Sequence, residues 1–134
     1  MIINILLPYK EKFDKKKASS VSITLKNNLN HTIFLNQIKV YGQNVDTPLF
    51  KDNFKGFTYS YWSFKSKNMF LADKMIKCIL QKPQSVQLIE IHNRPYLVNY
   101  ISNKIKNFPI SLFLHNDPKD MTGSRSVKDR ENIL

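Results

Sequence analysis

Two of the three histidines in this chain stand at the same kind of place. His92 closes the apolar run of "LIEIHNRP" and His115 closes that of "SLFLHNDP"; each is followed by asparagine, one variable residue and proline. Neutral imidazole carries one donor and one acceptor nitrogen near physiological pH, so a histidine held on a rigid strand can orient a hydroxyl, relay a proton or steady developing charge. Asn93, Arg94, Asn116 and Asp117 follow at helix starts or in turns, where free backbone N–H groups suit an anion. His115 is therefore the candidate catalytic residue, with His92, Asn93, Arg94, Asn116 and Asp117 as substrate contacts. A zinc site from His92, His115 and Asp117 meets the demand for ligand types but matches no compact metal spacing. A nucleophilic serine would want a Gly-x-Ser-x-Gly elbow, which the sequence lacks. No metal is assigned.

The elements that would deliver these residues can be read from periodicity. Ile2–Leu7 is an apolar run ended by Pro8, a buried strand. A lysine-rich loop covers 9–17, and Ser19 or Ser20 caps a helix to about Asn28. Thr32–Tyr41 is β-rich and stops at Gly42; the aromatic stretch 57–64, "FTYSYWSF", is a third, short strand. Between Ser66 and Gln81, Met69, Ala72, Met75, Ile76, Ile79 and Leu80 recur at helical spacing, with Pro83 closing the segment. Val86–Ile91 is a strand. Asn93 caps the next helix, with Pro95 in its first turn and Leu97, Ile101 and Ile105 on one face, and Ile110–Leu114 is another strand. Ser126 and Asp129 form a capping box for a last helix. Strands alternating with helices give a doubly wound α/β fold with a mainly parallel sheet. In such sheets ligands bind beyond the carboxyl ends of the strands, where both histidines fall.

One domain accommodates all 134 residues, of which 42% are hydrophobic and 23% charged. Cys78 is the only cysteine, which excludes an internal disulfide and points to a reducing, cytoplasmic setting. No stretch approaches the ~18 apolar residues of a membrane span. The net charge of +11 and pI near 9.8 invite polyanions. Lys10, Lys12, Lys15, Lys16 and Lys17 beside the crevice could meet an anionic membrane surface. The alternating aromatics and lysines of 54–67 resemble a single-strand stacking platform, but no nucleic-acid motif accompanies them. A basic binding module for nucleic acid or anionic membrane is the alternative function.

From Ser85 to Leu134, the linked stretches "LIEIHNRP" and "PISLFLHNDPKDMTGSRSVKDRENIL" resemble the amino-terminal half of GT-B glycosyltransferases, in particular the family-four type that builds lipopolysaccharide and other surface glycans. Over 1–84 the agreement is one of element order alone. The resemblance implies a Rossmann-like domain holding the glycan or lipid acceptor, paired with a second domain that binds a nucleotide-sugar, and metal-free, retaining transfer in the cleft between them. It places His115 against the transferred sugar, orienting it or steadying charge, with Asn116 and Asp117 on the same wall. Lys17, Ser19 and Ser20 fall where such enzymes carry a glycine-rich turn near the donor diphosphate, here without the glycines. The resemblance puts the donor domain outside residues 1–134. The expectation is thus negligible transfer by this chain alone, and an exposed interdomain face that favours homo-oligomers.

Overall fold

A computed structural model describes residues 1–81 and 86–133. Five strands form one all-parallel sheet in the order β3-β2-β1-β4-β5: β1 Ile2–Leu6, β2 Ile38–Gln43, β3 Phe54–Phe57, β4 Gln87–His92 and β5 Ile110–Phe113. The helices are α1 Ser20–His31, α2 Lys67–Leu80, α3 Tyr96–Ser102 and α4 Val127–Glu131. This is a small, single-domain, Rossmann-like α/β fold, as the alternation of apolar runs and amphipathic segments predicts.

Parallel pairing requires each strand to return by a crossover, and the crossovers cover both faces. Strand residues alternate between two cores. Leu6, Tyr41, Ile89 and Ile91 pack with α2 and α3 through Leu71, Met75, Ile79, Leu97 and Ile101. Ile5, Leu7, Ile38 and Val40 pack with α1 through Val21, Leu25 and Leu29, and with Phe13 and Leu49 from loops. Asn4, the one polar residue in the first apolar run, is buried; it donates to Gln87 Oε1 (2.9 Å) and accepts from the Tyr41 hydroxyl (3.2 Å), tying β4, β1 and β2 together beneath α2.

Ser19 caps α1, accepting from Ser22 N, and Ser66 caps α2, accepting from Met69 N. The Ser126–Asp129 capping box opens α4 as expected. Three elements depart from the sequence reading. The second strand starts at Ile38 rather than Thr32, because Asn53 Nδ2 donates to both Leu35 O and Ile38 O and fixes a 3-10 turn at Leu35–Gln37. The third strand is Phe54–Phe57, not 57–64; its Gly56 sits opposite Gly42, and a Cβ at Gly56 would come within 2.8 Å of the Asn44 backbone. Asn93 does not cap α3. It adopts a left-handed φ of 51°, and the cap position is Pro95, without a side-chain hydrogen bond. Pro83, read as the end of the second helix, lies outside the described residues.

Candidate functional site

The chain leaves β1 toward the α1 face and leaves β4 toward the α2/α3 face, so the carboxyl rim between these two strands is the switch point where open α/β sheets form a crevice. His92 is the last residue of β4 there and is 2% exposed. Glu90, two residues earlier, shares its side of the strand. Glu90 Oε1 lies 2.7 Å from His92 Nε2, and His92 Nδ1 lies 2.8 Å from His115 Nε2. Because a carboxylate only accepts, the Glu90 contact fixes the proton of neutral His92 on Nε2. With both rings neutral, His92 Nδ1 then accepts, His115 Nε2 donates, and His115 Nδ1 is left with its lone pair. Glu90 and His92 thus set one tautomer on the half-buried His115.

Ring stacking holds the pair in place. Phe113 lies 5.3 Å from the His92 ring at 17° and 4.8 Å from the His115 ring, and the two imidazoles are 5.1 Å apart. Asn93 locks the ends of the two strands: its N–H donates to Phe113 O (3.0 Å) and its Oδ1 accepts from His115 N (2.8 Å). Asparagine tolerates the left-handed backbone that this clasp demands. The repeated His-Asn therefore has a mechanical basis at its first occurrence, where the asparagine positions the histidine of the second.

Burial and the neighbouring His92 push the His115 pKa below its ordinary value, against an upward pull from Glu11 and Glu90. His115 is accordingly neutral at pH 7 and able to accept a hydrogen bond. Glu11, on the loop after β1, brings a second carboxylate into electrostatic reach of His115, and its Oε2 is buried without a hydrogen-bond partner.

Beside this cluster Asn93, Arg94 and Asn116 line an open cleft of about 650 Å³, together with Asn68, Tyr96 and Asp120. Asn68 Nδ2 donates to the Tyr96 hydroxyl, and Arg94 Nη1 to Asn93 O. Asp117 is not part of that wall; its carboxylate accepts from Lys119 N and caps the turn Pro118–Asp120. Lys17 lines a separate pocket of about 380 Å³ with Lys12, Lys16 and Asp46. There Asp14 intervenes: Oδ1 accepts from Lys16 N and Lys17 N, and Oδ2 from Thr47 N and Oγ1. The backbone donors that an anion would need in this loop are thus already taken by a carboxylate of the chain itself. Ser19 is occupied as the α1 cap, and Ser20 is exposed in the first turn of the helix.

Glu90, Glu11 and Asn68 escaped the sequence reading. Strand alternation placed Glu90 beside His92 and was a usable signal; Glu11, from the loop after β1, and Asn68, from the first turn of α2, arrive from distant segments and gave none. Among the described residues no group of three side chains could hold a metal ion. Comparison of the chain with protein-family models, with curated proteins and with solved structures returned no match.

Proposed function

We propose that this domain forms the acceptor side of a sugar-transfer site. The observation that carries the reading is the Glu90–His92–His115 chain, which ends in an unprotonated His115 Nδ1 at the carboxyl rim of a parallel sheet. Such a nitrogen accepts the hydrogen of an acceptor hydroxyl and turns its oxygen toward an electrophilic sugar carbon. Should His115 take up the proton at Nδ1, its Nε2 proton can pass to His92 Nδ1, where Glu90 faces the resulting imidazolium. Arg94, Asn116 and Asn93 offer amide and guanidinium groups along the cleft beside it. The motif resemblance adds the donor as a nucleotide-sugar held by a second domain, with the acceptor a glycan or glycolipid.

NMR titration of the chain with a panel of mono- and disaccharides and with a uridine-diphosphate sugar tests this. At least one saccharide is expected to shift the His115, Asn116 and Asn93 resonances saturably, and His115→Ala should weaken that binding about tenfold, the loss of one hydrogen bond to a charged or buried group. If no compound of the panel moves the rim resonances, the reading is wrong.

A further inference from the structure

Residues 58–65, between β3 and α2, carry three large rings with almost no neighbours. Tyr61 is 96% exposed, Trp62 92% and Phe64 108%. The loop beneath them is nonetheless well braced. The Tyr59 hydroxyl donates to Ser63 O (3.1 Å) and Lys65 O (2.9 Å), Ser63 N donates to Ser60 O, and Lys65 N to Ser63 Oγ. The Tyr59 ring packs edge-on against Phe70 (5.3 Å) and Tyr9 (6.1 Å). Three apolar rings are therefore held in water from a fixed base. A folded domain rarely displays such a patch without a partner for it.

Charge around the tip has one dominant sign. From Asn53 to Ala72 there are three lysines, Lys55, Lys65 and Lys67, and no acidic residue. Asp73 answers Lys65 but is shared with Lys104. The loop after β1 abuts this one through the Tyr9 and Tyr59 rings and is tied to the start of α2, with Tyr9 N donating to Asn68 Oδ1 (2.7 Å) and Lys67 lying over the Tyr9 ring; it adds the exposed Lys10, Lys12, Lys15, Lys16 and Lys17. Its Asp14 is consumed internally. Aromatic tips ringed by lysines match the headgroup layer of an anionic bilayer, where rings enter the acyl boundary and ammonium groups stay among phosphates. A single nucleic-acid strand asks instead for rings set along a groove that tracks the backbone, and these stand clear at a tip.

We propose that Tyr61, Trp62 and Phe64 insert into the headgroup region of an anionic membrane, with the lysines of both loops lying on its surface. This does not depend on the sugar-transfer reading. Trp62 is the only tryptophan, so its emission reports on this loop alone. Vesicles of phosphatidylglycerol and phosphatidylcholine are expected to shift that emission to the blue, and lipids brominated near the headgroup to quench it. Phe64→Ser should lower vesicle affinity about tenfold with an unchanged far-ultraviolet circular dichroism spectrum. Replacing Lys15, Lys16 and Lys17 with glutamine should lower it on the order of a hundredfold at low salt. His115→Ala should change neither, which separates this proposal from the preceding one. Vesicle binding that leaves Trp62 emission unmoved overturns it. So does a blue shift produced by oligothymidylate and not by vesicles, or one produced by protein concentration alone, which would make the loop an interface between copies.

Discussion

Asn93 shows how one residue can serve as punctuation and as machinery. In sequence it reads as a helix cap, because asparagine before an arginine and a proline so often is one. In the folded chain it is a clasp: a left-handed backbone, an N–H donated to Phe113 O and a side-chain oxygen that accepts from His115 N. The histidines were legible as candidates from their positions at the ends of apolar runs, but their direct hydrogen bond was not, since 23 residues and a helix separate them. A titration belongs to this scale. The folded pKa of His115 is depressed by burial and by His92, below the 6.5 expected of the unfolded chain. Below pH 6.5 the unfolded state therefore binds more protons than the native state. Stability is full above that pH and is lost as pH falls beneath it. Urea midpoints measured from pH 7.5 to pH 5 should decline for the native chain, and the decline should be shallower in His115→Gln.

At the scale of elements, helices were easier to locate than edge strands. The second helix announced itself through Met75, Ile76 and Ile79, all of which are buried, and Ser66, where the periodic segment begins, turns out to be its cap. The third strand was placed too late because 57–64 is rich in aromatic residues with high strand propensity. What decides that strand is backbone access: Gly56 pairs with Gly42, close against Asn44, and the aromatics beyond are left to a turn. A second glycine governs how the two histidine motifs assemble. Gly123 has φ of 90°, and an added Cβ would lie 2.8 Å from Tyr96 Cβ and 2.9 Å from Tyr96 N, at the start of α3. The tail of the second motif is thereby pressed onto the helix that follows the first, with Met121 and Ser124 buried beside it. Gly123→Ala should cost about 1–3 kcal/mol and speed amide exchange in 116–126, as read by urea denaturation and hydrogen exchange. Gly42→Ala is the control, since its Cβ would meet the Phe54 ring at an ordinary 3.4 Å.

For the molecule as a whole, one sheet backs two cores, and damage to either should be felt in both. Ile91 is fully buried against α2 and α3, while its neighbour on β4, His92, turns to the other face. Ile91→Ala should lower stability by about 2–5 kcal/mol, a large share of the roughly 5–15 kcal/mol available to a domain of this kind. Hydrogen exchange should then show α1 losing protection together with α2 and α3; loss confined to α2 and α3 would mean that the two cores unfold separately. No helix among the described residues is long and apolar enough to cross a membrane.

The amino-acid sequence by itself determined the α/β alternation, the parallel sheet and the delivery of His92 and His115 to the same rim, because hydrophobic period and capping are local properties that survive without knowledge of the partner segments. Only the tertiary structure decided that Glu90 and His92 fix the tautomer of His115, that Asp14 fills the donors of the basic loop, and that Tyr61, Trp62 and Phe64 face outward. Each of these depends on which distant segments meet, and chain proximity does not encode that.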